Sequence, residues 1–177
     1  MSEEIAFKTQ TIVQGEFDTS NDPMVCFSTI LGSCVSICLY DTGASVGGMN
    51  HFLLPGDLNG NSQDKKYGVH AMELLINRLL GIGARRENFQ AKVFGGANMN
   101  TGLRDIGRLN GEFAHSFLQL EGIPIVSESL GGSNARRIRF WPTTGAAKQL
   151  LVPDQDFKVK ETPTSVKSEP ETSISLF

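Results

Sequence analysis

Two side chains in the first third of the chain could form a nucleophile and base pair. Cys34 follows Gly32-Ser33 directly, at the start of a predicted strand, and His51 lies on the next predicted strand. Small residues before the cysteine let a substrate approach the backbone, and their N–H groups could stabilise an oxyanion. A thiol beside an imidazole is the arrangement of a cysteine hydrolase. Taken singly, each residue could instead be an ordinary core cysteine or histidine.

The elements around these two residues predict how close they lie. Residues 35–40 and 46–54 read as two strands, and a turn centred near Thr42-Gly43-Ala44 joins them. Pairing around that centre sets Cys34 opposite His51, with their Cβ atoms roughly 5 Å apart. Such neighbours could share a hydrogen bond or form a thiolate–imidazolium pair.

The remaining patterns predict an α/β or α+β domain. Apolar residues at helical spacing indicate two helices, and short apolar runs between turn signals indicate further strands. The predicted helices are residues 71–80 and 106–120, the predicted strands are 91–94 and 123–126, a hairpin covers 137–141 and 148–152, and 56–67 is a predicted loop.

Composition excludes several classes of function. The 177 residues carry a net charge of −3, which argues against a protein held to nucleic acid by bulk charge. The N-terminus, Met-Ser-Glu-Glu, lacks the pattern of a secretory signal, and no apolar run is long enough to span a bilayer. We therefore expect a cytoplasmic protein. The cysteine count is 3, without a Cys-x-x-Cys pair, so we expect neither a disulfide framework nor a zinc site.

The C-terminal segment differs from the rest in composition. Residues 153–177 hold three prolines and no glycine, and alternate Ser or Thr with Lys and Glu. Such a segment cannot bury enough apolar surface to offset its ordering entropy, so we predict a disordered tail after a single domain over 1–152. The apolar end Ile174-Ser175-Leu176-Phe177 is either chance or a short docking motif.

Several ordered motifs resemble those of the CheD family, the chemoreceptor glutamine deamidases of bacterial chemotaxis. The resemblance covers about residues 10–152. The segments that carry it are 31–41 (LGSCVSICLYD), 47–55 (GGMNHFLLP), Tyr67-Gly68, 91–97 (AKVFGGA), Ile106-Gly107 with Asn110, Gly122-Ile123, Gly131-Gly132 with Ala135-Arg136-Arg137, and Thr144-Gly145.

The resemblance implies a Cys–His–Thr triad. Its nucleophile falls on Cys34 and its base on His51. The third position, six residues before the cysteine, is Ser28 here in place of threonine. A serine hydroxyl can still hydrogen-bond an imidazole nitrogen. Thr29 is the substitute if Ser28 is misplaced, although its side chain should point to the other face of the sheet.

The resemblance also implies a fold, an activity and partners. The fold has mixed β-sheets packed face to face with helices outside, as in a bacterial toxin deamidase domain. The activity is conversion of receptor glutamine to glutamate with release of ammonia, with glutamyl methyl ester hydrolysis as a second activity. No metal or organic cofactor is required. The implied partners are the cytoplasmic helical bundles of chemoreceptors and a CheC-type phosphatase.

Two other classes of function stay open on the sequence alone. One is a non-catalytic adaptor that binds receptor or phosphatase. The other is a cysteine hydrolase of a different amide or ester. An unreactive, buried Cys34 would favour the adaptor, and turnover of simple amides would favour the other hydrolase.

Overall fold

The fold is built on two mixed five-stranded sheets. The computed structural model describes residues 5–54, 62–99, 105–153 and 174–177. The strands of this described part are β1 Lys8–Thr11, β2 Phe17–Ser20, β3 Val25–Leu31, β4 Val35–Asp41, β5 Val46–Asn50, β6 Gln90–Gly95, β7 Ile125–Leu130, β8 Ala135–Trp141, β9 Ala146–Val152 and β10 Ile174–Leu176. The helices are α1 Ser62–Gly81 and α2 Ile106–Leu120, with a 3-10 turn at Arg86–Asn88.

The sheets pack face to face. The first has the order β1-β3-β8-β9-β10 and the second the order β2-β5-β4-β6-β7. Pairing is antiparallel except for β1 with β3 and β6 with β7, which are parallel. The core between the sheets takes side chains from both of them, including Phe27, Leu31, Cys38, Met49, Phe94, Ile138 and Phe140.

Both helices cover the outer face of the second sheet. Their buried side chains, Met72, Leu75, Ile76 and Leu79 from α1 and Ala114, Phe117 and Leu118 from α2, meet Ile37, Leu39 and Val93 from the sheet. Every residue of β4 is therefore buried, because successive side chains enter the two cores alternately. This confirms the predicted fold class of mixed sheets packed face to face with helices outside.

Some predicted element bounds need correction. Helix α1 starts at Ser62, so the expected loop over 56–67 is wrong for its last six positions, while 55–61 lie outside the described residues. The second strand of the hairpin ends at Asn50 rather than at Leu54, and a single bridge follows between Val35 and Phe52.

The last four residues depart from the expected tail. Strand β10 pairs antiparallel with β9, and the Phe177 ring packs edge-on against Phe94 at a centroid distance of 5.5 Å. Lys92 Nζ donates a hydrogen bond of 2.6 Å to a main-chain oxygen of Phe177. The prediction of a disordered tail is wrong for 174–177, and residues 154–173 lie outside the described part of the chain.

Candidate active site

A threonine and a histidine meet where the two sheets approach each other at one end. Thr29 projects from β3 of the first sheet, and His51 follows β5 of the second. Thr29 Oγ1 lies 2.8 Å from His51 Nδ1, and both residues are buried. The β3 hydroxyl therefore fixes the plane of the imidazole ring from across the interface between the sheets.

Ser28 does not occupy the position expected of it. Phe27 and Leu31 pack in the core between the sheets, so strand alternation places Thr29 on this inner face and Ser28 on the outer one. The expectation that Thr29 points away from Ser28 is correct. Thr29, the substitute for Ser28, is the residue that bonds His51, because His51 lies between the sheets.

The backbone of the 13–16 turn holds His51 from the other side. Glu16 N donates to the Val13 carbonyl at 2.9 Å, and Gly15 has φ +87°, which closes a type II turn. Gly15 N donates to the His51 carbonyl at 2.8 Å, and His51 N donates to the Glu16 carbonyl at 3.0 Å. These paired bonds extend strand-like pairing by one residue beyond β5 and fix the histidine backbone.

The hydrogen bonds of Thr29 assign the tautomer of His51. Thr29 Oγ1 donates its single proton to the Ile12 carbonyl at 2.6 Å. The hydroxyl can then only accept from Nδ1, which therefore carries the imidazole proton. Nδ1 also lies 3.4 Å from the Ile12 carbonyl, which is a second acceptor. Nε2 is left with its lone pair, the state that a general base needs.

Cys34 lies close to His51 in register but not directly opposite it. Val35 pairs with Phe52, and its N–H and carbonyl exchange hydrogen bonds of 3.0 and 2.9 Å with that residue. Cys34 therefore faces Leu53, and His51 is its diagonal neighbour on the same face. Diagonal neighbours are about 7–8 Å apart, still within reach of longer side chains. No direct hydrogen bond joins Sγ to the imidazole in the described structure.

The shift in register has a local cause. The hairpin loop spans the four residues 42–45 rather than centring on 42–44, since Asp41 pairs with Val46. The Asp41 carboxylate accepts from Ala44 N at 3.1 Å, and Ser45 takes a left-handed conformation with φ +53°. The expectation of a directly opposed Cys34 and His51 is therefore wrong, although the predicted hairpin itself is present.

Burial keeps both groups uncharged. It raises the pKa of the half-buried Cys34 thiol to about 11, against a smaller opposing effect of its own backbone N–H. It also lowers the pKa of His51, with the Ile12 carbonyl and the Glu16 carboxylate acting in the opposite direction. The resting pair is consequently a thiol and a neutral imidazole rather than a thiolate–imidazolium pair.

The thiol already contacts a carboxamide. Cys34 Sγ lies 3.7 Å from Oε1 of Gln14, at the exposed tip of the 13–16 turn. No sequence pattern selects Gln14, because its position depends on the turn that Gly15 closes. Among the described residues, no group of three or more histidine, cysteine or acidic side chains is arranged to hold a metal ion.

The other two cysteines lie away from this end. Cys26 and Cys38 are buried, and all three cysteines are free thiols. Burial raises the pKa of each of these two thiols. Within the described residues, no helix is long and apolar enough to cross a membrane.

By fold and site, this is a two-sheet α+β protein that directs a cysteine, a histidine and a threonine into one end of the space between its sheets. Its residues 53–149 match the family described as CheD chemotactic sensory transduction. The chain belongs to the CheD family, as the motifs predicted.

Curated relatives resemble nearly the whole chain. A protein of Acidiphilium cryptum named "probable chemoreceptor glutamine deamidase CheD" is 54% identical over 94% of this chain and 92% of its own length. Similarly named proteins of Ruegeria sp. and Agrobacterium fabrum are 52% and 53% identical, each over 82% of this chain and over 78% and 81% of their own lengths. A solved structure of Neisseria meningitidis protein NMB0706 is 10% identical, with a TM-score of 0.46 over 73% of this chain and 64% of its own.

Proposed function

We propose that this protein is a glutamine deamidase that acts on chemoreceptors, with Cys34 as nucleophile, His51 as base and Thr29 as the residue that orients His51. The observation that carries the proposal is the hydrogen bond between Thr29 Oγ1 and His51 Nδ1, which leaves Nε2 free on the face that Cys34 shares. The names of relatives 52–54% identical to this chain support a deamidase of chemotaxis.

The reaction begins with a proton transfer that accompanies attack. Because the pKa of the Cys34 thiol is raised and that of His51 is lowered, a stable thiolate does not form beforehand. Nε2 takes the thiol proton as Sγ bonds to the glutamine Cδ, and the carbonyl oxygen becomes an oxyanion. The imidazolium then returns its proton to the departing nitrogen, the C–N bond breaks, and ammonia leaves.

Hydrolysis of the thioester completes the cycle. Water, deprotonated by His51, attacks the acyl carbon, the C–S bond breaks and glutamate is released with the thiol restored. The Thr29 hydroxyl donates a hydrogen bond to the Ile12 carbonyl throughout, so its oxygen is available to accept from Nδ1 in both charge states of His51. An ester presents the same carbonyl with a better leaving group, so glutamyl methyl ester hydrolysis is a second activity of this site.

The environment of the thiol suits a carboxamide substrate. Gln14 brings a carboxamide oxygen to 3.7 Å from Sγ without any charged partner at that point. A substrate glutamine would take this place after displacing the exposed Gln14 side chain. Each turnover converts a neutral receptor side chain to a carboxylate, which changes repulsion between neighbouring signalling helices.

The cellular setting is part of the same proposal. The substrates are glutamines on the cytoplasmic helical bundles of chemoreceptors, so the enzyme acts in the cytoplasm. A CheC-type phosphatase is the proposed regulatory partner. The chemistry needs neither a metal nor an organic cofactor, because thiol, imidazole and water supply every bond that forms.

The test is peptide mass spectrometry of a purified receptor cytoplasmic fragment after incubation with this protein. We expect a gain of about 1 Da at defined glutamines, the mass difference between an amide and an acid. Cys34→Ala and His51→Ala should each remove the gain while keeping the thermal midpoint close to that of the wild type.

The matched control is Cys26→Ala, which removes a buried thiol from β3 but not from the site. It should retain activity. Binding of the fragment without any mass gain would favour the adaptor, and turnover of simple amides but not of receptor would favour a different hydrolase. Full activity in Cys34→Ala would exclude the mechanism.

A further inference from the structure

A fully buried asparagine links the two segments that carry the candidate nucleophile and base. Asn110 lies on α2 and has no exposed surface. Its Nδ2 donates to the Ser33 carbonyl at 2.8 Å, one residue before Cys34. Its Oδ1 accepts from Leu54 N at 3.0 Å, three residues after His51. One carboxamide thus ties both segments to the same helix.

The Ser33 carbonyl is the middle one of three consecutive carbonyls that each accept a hydrogen bond. The Gly32 carbonyl accepts from Ala97 N at 2.9 Å, and the Cys34 carbonyl accepts from Gly96 N at 2.8 Å. Of the three, the Ser33 carbonyl is the one that accepts from a side chain, that of Asn110. The three carbonyls of this short loop, residues 32–34, are therefore fixed by groups outside it.

Fixing the carbonyls also fixes the N–H groups. In a trans peptide the N–H points opposite to the preceding carbonyl, so the bond to the Ser33 carbonyl turns Cys34 N–H away from Asn110. In the same way, the bond to the Gly32 carbonyl fixes the direction of the Ser33 N–H. No carbonyl or carboxylate of the described residues accepts from either N–H. The backbone N–H of Cys34 lies near its own thiol and lowers the pKa of that group.

We propose that Asn110 is a positioning residue for the reaction. It holds the Ser33 carbonyl so that the N–H groups of Ser33 and Cys34 stay directed at the oxygen that gains charge during attack. This inference rests on the proposed deamidase function and adds to it a residue that does not touch the substrate. Preorganised donors of this kind stabilise the transition state because they need no rearrangement during the reaction.

The packing of α2 keeps the asparagine in place. Gly107, one turn earlier on the same face, lies so close to the Gly96 and Ala97 carbonyls that a Cβ there would collide with both. The helix therefore lies directly against the segment that binds the 32–34 loop. The position supplies one hydrogen-bond donor and one acceptor, which an apolar side chain of similar size cannot provide.

The test separates amide turnover from thiol reactivity. Asn110→Leu keeps the side-chain size and removes both hydrogen bonds, and Asn110→Ala removes them while leaving room for water. We measure kcat and KM on the receptor fragment, the alkylation rate of Cys34 by iodoacetamide, and the thermal midpoint. Alkylation requires the thiol but forms no oxyanion. An unchanged alkylation rate therefore shows that the site is intact apart from the loop N–H groups.

We expect kcat to fall by about 10²-fold, the order seen when one oxyanion donor is lost, with KM and the alkylation rate changed less than about twofold. Leu79→Ala, which creates a cavity in the core under α1, controls for lost stability alone. It should leave the ratio of kcat to the alkylation rate unchanged. Equal falls in kcat and alkylation, or full activity in both variants, would overturn the inference. An inactive wild type would instead remove the proposed function and this inference with it.

Discussion

At the scale of single residues, the hydroxyl of Thr29 determines which nitrogen of His51 can act as a base. We expect Thr29→Val, which keeps the shape and removes the hydroxyl, to leave Nδ1 with only the longer contact to the Ile12 carbonyl. A hydrogen bond to a charged group is worth about 1.5–3 kcal/mol, so kcat should fall roughly 10- to 100-fold. Ser28→Ala is the matched control and should keep near-full activity in the same receptor assay. A larger loss in Ser28→Ala than in Thr29→Val would reverse the assignment.

The protonation of Cys34 gives a second prediction at this scale. The pKa of the thiol is raised, so the reactive thiolate is scarce at neutral pH and its fraction grows as pH rises toward about 11. Alkylation of Cys34 by iodoacetamide should therefore accelerate roughly tenfold per pH unit through the neutral range. Peptide mapping after timed quenching measures the alkylation rate, and Cys34→Ala corrects for the other thiols. A rate that is flat across neutral pH would indicate a preformed thiolate–imidazolium pair.

Sequence patterns located the chemistry at this scale but not its geometry. Cys34 and His51 were selected from residue type and a predicted hairpin, and both lie at the same end of the fold. The spacing of the family motif favours Ser28 over Thr29, and nothing in the chain alone tells which face of β3 meets the other sheet. Asn110 could be read only as part of a family motif, because its two partners, Ser33 and Leu54, are distant in sequence.

At the scale of elements, the 13–16 turn decides how His51 is presented. Gly15 has φ +87° and no atom near the place of a Cβ, so Gly15→Ala adds backbone strain without a collision. Gly83, at φ +111° after α1, is equally open and serves as the matched control. Each alanine should lower the free energy of unfolding by about 1–2 kcal/mol. Only Gly15→Ala should also lower kcat, since it disturbs the Gly15 N–H that donates to the His51 carbonyl.

Denaturant unfolding and the receptor assay on both variants measure this prediction. If Gly83→Ala lowers kcat as much as Gly15→Ala does, the effect is one of general stability. Unchanged activity in Gly15→Ala would show that the turn does not position the histidine.

Helix α2 shows why elements are easier to predict than their faces. Its range, 106–120, was predicted correctly from apolar spacing and a terminal glycine. The apolar residue at its end, Leu120, is 86% exposed. The buried face instead includes Gly107, Asn110 and Gly111, which allow close approach to the Gly96 segment and contribute no hydrophobic signal.

At the scale of the whole molecule, the candidate site and the C-terminal strand lie at opposite edges of the sheets. The site is formed beside β1, β3 and β5, whereas β10 extends the first sheet beyond β9. Removal of residues 174–177 takes the Phe177 ring out of the core between the sheets. It also removes the main-chain oxygen that accepts a hydrogen bond from Lys92 Nζ. We expect a loss of about 2 kcal/mol in unfolding free energy and no change in kcat.

Thermal or urea unfolding of the truncated chain tests this, with Phe177→Ala to isolate the ring. An unchanged midpoint would mean that the segment does not stabilise the domain. The sequence did not predict this pairing because three apolar residues among the last four, after a polar stretch, give too short a signal. Their partner strand is known only once the sheet is assembled.

The carbonyl of Ile12, which accepts the hydrogen bond of the Thr29 hydroxyl and lies near Nδ1 of His51, belongs to the main chain. No codon change can delete it, and any buried apolar side chain at position 12 would supply the same oxygen. A genetic screen for inactive variants should therefore recover changes at Cys34, His51 and Thr29 and remain blind to this component. An amide-to-ester replacement between Ile12 and Val13, made by chemical synthesis, would weaken this acceptor, and it would also remove the exposed hydrogen bond from Val13 N to the Glu16 carboxylate.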